Sequence, residues 1–290
     1  MNKKAILFFA VMSSILTSCN SEQSVETAPV MAPVTVRVSD FSVMEDDFSA
    51  TRAATPVLGY EGVKILTLAF YDGTTEVYKA TQLRDDNTTY TTFGEFSCSL
   101  PLGSYTMLVL GYGGTTPLTL TSATAAVYDG IRVRDTFSAT QAVSVTNTDA
   151  LQLSATLNRL VAGLAVVSTD NRPATVTQIR TTVSAGSNAF NPSTGIATAN
   201  AGLVNTVAVS GSGPVNPITY LFLTADEQTV SVTIDALNAN NEIITTHTIN
   251  NVPLKRNRRT RLTGALFSAP AASNSFTVNG DWLTDHDFGF

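Results

Sequence analysis

Cysteine, histidine and tryptophan are scarce in this chain: its 290 residues hold two, two and one of them. The two histidines, His247 and His286, have no serine or cysteine nucleophile motif beside them and no metal-ligand spacing, so both read as structural. Asp281, Asp285 and Asp287 lie near His286, where solvated tail charges are a simpler account than a weak cation site. Charge is thin, at 14% of residues, and the balance is acidic, with 17 basic against 23 acidic side chains and a net of -6. That balance argues against nucleic acid as a partner. Long apolar runs are missing after the first fifteen residues, so no later segment reads as a membrane-spanning helix. No polar catalytic cluster stands out either. The chain reads as a non-enzyme that needs no cofactor and no metal.

What is present begins at the N-terminus. Asn2-Lys3-Lys4 is a short positive segment, and Ala5 to Ile15 is apolar apart from Ser13 and Ser14. A permanent membrane helix needs about 20 apolar residues, so this stretch has the length of a signal-peptide core. Leu16-Thr17-Ser18-Cys19 follows and resembles the lipobox of bacterial lipoproteins. The resemblance implies diacylglycerol on the Cys19 thiol and cleavage of residues 1–18; an ordinary signal peptide with a chance cysteine is the plainer alternative. Without Lys3 and Lys4 the balance is 15 against 23, about -8. With Cys19 given to lipid, Cys98 is left without a disulfide partner, and the core must hold the fold.

Residues 20–33 read as a polar tether broken by Pro29 and Pro33. Val34, Val36 and Val38 then alternate with polar residues, the period of a half-buried strand. Glu45-Asp46-Asp47 and the stretch Phe48–Pro56 that follows read as an exposed loop. Strand-like runs follow at Lys64–Tyr71, closed by the hairpin signal Asp72-Gly73, at Thr91–Leu100 and at Tyr105–Tyr112. Alternation in Thr91–Leu100 puts Phe96, Cys98 and Leu100 on one face, which makes Cys98 a small core residue. Ala123 to Tyr128 fits a short helix or a loop.

A second series starts near Leu151, with the apolar run Arg159–Val167 and further strands to Phe267. Clusters such as Asn250-Asn251-Val252-Pro253 read as the separators between them. Short strands with turn signals at this spacing mean an antiparallel sandwich, and the length suggests two. Gly111-Tyr112-Gly113-Gly114 is followed by neither a helix start nor a lysine, so it reads as a turn and not a phosphate loop. Lys255 to Arg261 holds five cationic residues; a charge-protected strand edge is the simpler reading, and a polyanion site the other.

Several segments together resemble the fimbrillin family, the type V pilus subunits of Bacteroidales. They are Val63–Val77, Cys98–Leu110, Leu157–Val166, Pro253–Gly264 and Phe276–Trp282. The resemblance implies an all-β fold of two transthyretin-like Greek-key β-sandwich domains in tandem. It divides the chain into a signal peptide (1–18), a tether with a removable propeptide strand (19–52), an N-terminal sandwich (53–148) and a C-terminal sandwich (149–290).

The family's mechanism is then an expectation for named residues. An arginine-specific protease would cut between Arg52 and Ala53 and discard the lipid anchor with the Val34, Val36 and Val38 strand. A strand from another subunit would fill the groove, in a homo- or hetero-polymer. Phe276, Val278 and Trp282 are donor-strand candidates; they fit equally a strand that closes the chain's own second sandwich. A solvated loop arginine is the plainer alternative for Arg52, less favoured because the strand before it looks detachable, and Arg37 is a rival site inside that strand. The implied place is the outer membrane first and a surface fimbria afterwards, with a host surface ligand as a further partner. The alternative is an uncleaved, lipid-anchored adhesin or pilus anchor.

Overall fold

The computed structural model describes residues 28–43, 53–86, 88–114, 118–130, 132–268 and 276–279. The described chain is all-β. Its first half carries β1 (Met31–Val43), β2 (Ala53–Pro56), β3 (Ile65–Asp72), β4 (Thr75–Leu83), β5 (Glu95–Pro101), β6 (Gly103–Tyr112), β7 (Leu118–Ser122), β8 (Ala125–Tyr128), β9 (Thr136–Val145) and β10 (Leu151–Arg159). The second half carries β11 (Ala162–Ser168), β12 (Gln178–Val183), β13 (Ala189–Phe190), β14 (Leu203–Ala208), β15 (Ile218–Leu221), β16 (Glu227–Leu237), β17 (Ile243–Lys255), β18 (Arg259–Gly264) and β19 (Thr277–Asn279).

The largest sheet runs β2-β1-β10-β9-β6-β3-β4, and β5 also pairs with β1. It folds over at a corner, because β9 and β10 share only the pairs Asn158↔Ser138 and Arg159↔Phe137. On one side of the corner β1 lies among β10, β5 and β2; on the other lie β9, β6, β3 and β4. Val34 and Val36 of β1 pack in one core with Leu66, Phe70 and Val109 from the opposite layer. The hairpin expected at Asp72-Gly73 is present, with Asp72 opposite Thr75 and Gly73 at φ 58°.

β3 and β6 are buried along nearly their whole length. A strand buried on one face alternates, so this continuous run needs a second covered face. Leu68 and Met107 point into the first core, while Ala69, Tyr71, Leu108 and Tyr112 point into a second core shared with the rest of the chain. There they meet Tyr128, Phe190 and Phe222. Phe190 and Phe222 stack at 3.8 Å, and Tyr128 meets Phe222 at 6.3 Å and Tyr112 at 6.0 Å. The sheet β13-β8-β7 joins the halves by hydrogen bonds as well. Past it, the sheets β15-β11-β18-β19 and β14-β12-β16-β17 face each other over Leu164, Ile179, Ile234 and Leu262.

Five sequence expectations meet a different structure. Ala53–Pro56, expected as the end of a loop, is β2, drawn into the sheet by antiparallel pairing with β1. Ala123–Tyr128 is neither helix nor loop but the β7–β8 turn and β8, with Tyr128 fully buried. Leu151–Arg159, taken as the opening of the second series, pairs in parallel with β1 and contributes Leu157 to the first core. Asn250 to Pro253 does not separate strands; β17 runs through it with a register irregularity, and Asn251 takes φ 57°. Proline is tolerated there because β17 is the last strand of its sheet. The basic run is not a strand edge: Arg259 and Arg261 stand on β18, which lies between β11 and β19.

Candidate functional site

β1 is the feature on which the expected function turns. Val34, Val36 and Val38 all point inward and are at most 4% exposed, with Ala32 beside them. The register slips between Val38 and Asp40, a bulge that shifts the inward positions by one. Phe41, invisible to a simple alternation, therefore becomes the fourth large inward side chain and is fully buried. It meets Phe137 at 5.2 Å and Tyr60 at 5.5 Å. Gly111 lies under it: a Cβ there would come within 3.2 Å of the Phe41 ring. That close approach accounts for the glycine that does not cradle phosphate.

Three strands hold β1. It runs parallel to β10 from Val34 to Ser42, antiparallel to β5 from Met31 to Arg37, and antiparallel to β2 from Asp40 to Val43. Burying each such side chain contributes about 1.5–3 kcal/mol. The strand therefore does not leave unless something of similar shape takes its place.

Arg37 lies mid-strand, hydrogen-bonded within the sheet and ion-paired with Glu95 at 3.3 Å on the exposed face. A protease needs an extended segment free to enter its cleft, and Arg37 is not in one. Arg52 and Cys19 lie outside the described residues. Ala53 opens β2, opposite Val43 of β1. Cys98 is half-buried on β5 opposite Val34, and burial pushes its thiol up to about 11.

At the other end of the chain, β19 pairs antiparallel with β18, setting Val278 opposite Leu262. Phe276 packs edge-on against His247 at 5.1 Å and against the second core. The donor candidates thus lie on the chain's own second half; Trp282 is outside the described residues. His247 is buried, and its Nε2 lies 3.1 Å from the Leu266 carbonyl oxygen. This is the structural role that the sequence suggests for it.

A buried polar cluster missed by sequence reasoning stands where β1 ends. Arg159 donates to Asp135 from Nε at 2.8 Å and to the Tyr60 hydroxyl at 2.9 Å, and Tyr60 donates to Asp135 at 2.9 Å. Burial alone would lower the Arg159 guanidinium; Asp135 outweighs it and holds the group above its ordinary value. Burial, and then Asp135, raises the Tyr60 phenol. Arg159 also lies over the Phe137 ring at 5.0 Å. The cluster ties the loop after β2 to the corner of the large sheet, beneath Phe41. Its members are spread over a hundred residues, and no local spacing signals them.

A family model described as a family of unknown function (DUF6562) matches residues 116–287, more than half of the chain. The chain belongs to that family. No curated protein matches this DUF6562 chain. A candidate adhesin from Bacteroides ovatus has a similar structure at 9% identity and a TM-score of 0.51, with 89% of this chain and 99% of that one covered. The fimbrial anchor protein Mfa2 from Porphyromonas gingivalis aligns at 14% identity and a TM-score of 0.46, over 86% and 98% of the two chains. A fimbrial assembly protein from Parabacteroides distasonis aligns at 9% and 0.42, over 87% and 99%. At these identities the likeness concerns the fold.

Proposed function

We propose that this DUF6562 chain is a cell-surface fimbrial subunit, exported as a lipoprotein on Cys19, whose β1 is a placeholder for a strand from another subunit. The observation that carries the reading is β1 itself: a single strand near one end of the chain fills the first core and joins the rest through residues 44–52. A cut after Arg52 turns β1 into a separate peptide held by hydrogen bonds and by Ala32, Val34, Val36, Val38 and Phe41. Its replacement must run the same way, parallel to β10 and antiparallel to β5, and offer apolar side chains where Ala32, Val34, Val36, Val38 and Phe41 stand. Phe276, Val278 and Trp282 have the alternation, and a donor role requires them to leave β18 first. An adhesive role accords with the candidate adhesin that shares the fold.

The second reading is an anchored, uncleaved adhesin, non-enzymatic like the first. It is favoured by the length over which β1 is paired on both sides. The N-terminus of the protein recovered from cells separates the two. The subunit reading expects Ala53 as the first residue and ladders on gels run without boiling; a chain that always keeps Cys19 and stays monomeric overturns it. Arg52→Ala is expected to abolish polymer while leaving the melting temperature unchanged, and normal fibres from that variant remove Arg52 from the mechanism.

A further inference from the structure

The two halves of the chain flank an open cavity of about 510 Å3, within the range of small-ligand sites. Its first-half wall is the corner where β9 and β10 part, at Ser138, Thr140 and Asn158. Its second-half wall is the turn that carries the chain from β17 to β18, Arg256 to Arg258. No aromatic residue lines it. A neutral sugar, which relies on stacking, has no platform there.

Charge distinguishes the cavity. Of the cations that line it, Arg159 is paired with Asp135, Lys255 with Glu227 and Arg256 with Asp226. Arg258, half-buried, has no carboxylate partner among the described residues. One unmatched guanidinium in a chain of net charge -6 is a local site for a single negative charge. Next to it, Asn257 sits in the left-handed region at φ 57°, and its side-chain oxygen is buried with no hydrogen-bond partner. That oxygen has almost no accessible surface, so a ligand in the cavity meets instead the side chains of Thr140 and Asn158, both exposed on its wall. Ser138 donates its hydroxyl proton to the Pro192 carbonyl and keeps its oxygen free to accept.

We propose that this cavity binds an acidic sugar, with the carboxylate on Arg258 and its hydroxyls on the polar wall of Thr140 and Asn158. A guanidinium fork fits a planar carboxylate through two parallel hydrogen bonds. One net positive charge balances a monoanion and leaves one charge of a phosphate dianion uncompensated. The inference deepens the adhesive part of the proposed function and does not depend on strand exchange.

The test is calorimetric titration of the full chain after Cys19 with glucuronate, glucose and inorganic phosphate. Saturable glucuronate binding at roughly millimolar or tighter Kd is expected, with glucose and phosphate each weaker by roughly tenfold or more. Arg258→Gln is expected to lose roughly tenfold or more for glucuronate, and Asn158→Ala to lose a smaller factor. No saturable glucuronate binding overturns the proposal. So does phosphate binding as tightly as glucuronate, which marks a bare anion site, or an Arg258→Gln variant of unchanged melting temperature that binds as well as the parent. Should Arg258→Gln not fold, the three-ligand comparison on the parent decides alone. A chain that polymerises but ignores glucuronate sinks this proposal only; a monomer that keeps Cys19 and binds glucuronate sinks only the strand-exchange reading.

Discussion

Asp170 accepts backbone N–H groups from Leu266, Phe267 and Ser268 in succession, together with the Ser268 hydroxyl. Burial raises its carboxyl, but these donors together outweigh burial and hold it below its ordinary value. A depressed folded value stabilises the fold above the unfolded value of about 3.9, and the contribution fades as pH falls through the folded value. Asp170→Ala should therefore cost about 2 kcal/mol near neutrality and much less in acid, read from urea melts at both pH values. Faster hydrogen exchange at Leu266 to Ser268 should accompany the loss. In the Arg159 cluster, Asp135→Ala strands a buried guanidinium and is expected to cost about 3–5 kcal/mol. A melting temperature within a degree or two of the parent would show that water reaches Arg159 freely. Cys98, with its thiol pushed up to about 11, should alkylate roughly twentyfold more slowly than an unperturbed thiol near pH 8, measured in a Cys19→Ser chain.

At the scale of the strand, β1 makes the sharpest demand. Phe41→Ala should cost about 3–5 kcal/mol, since the ring fills the space above Gly111 and between Phe137 and Tyr60. A chain beginning at Ala53 should expose Cys98 to rapid alkylation, and adding a peptide of residues 31–43 should slow it again. If the peptide has no effect, the groove does not persist once empty. Much of this strand is legible in the sequence: the valine alternation marks its inward face, and Asp72-Gly73 marks the next hairpin. Phe41 was not legible, because a bulge after Val38 resets the parity and nothing local announces it. β8 hides for a related reason. Ala125–Tyr128 is a short apolar stretch, too short for any period to show, and its conformation is decided by pairing with β7 and β13. β10 misleads differently, since its pattern gives a correct strand and says nothing of which sheet takes it. The cavity is the least legible feature, for its walls come from β9, β10 and the β17–β18 turn, far apart in the chain, and only the basic run hints at it.

At the scale of the whole molecule, β3 and β6 form a wall common to both cores, so the halves do not fold as independent bodies. Core substitutions on opposite faces of this wall, such as Leu68→Ala and Leu108→Ala, should each shift one cooperative transition and not split it in two. Two calorimetric peaks in either variant would contradict the shared wall. The same molecule is held at one end by a strand whose ladders lie across its length. A pull on the chain ahead of Met31, directed along β1, shears its hydrogen-bond ladders with β10 and β5. Such a load falls on many of these bonds together, whereas a pull sideways would open them one at a time. A load on the leading end of this chain, directed along β1, meets the ladder in its strongest direction.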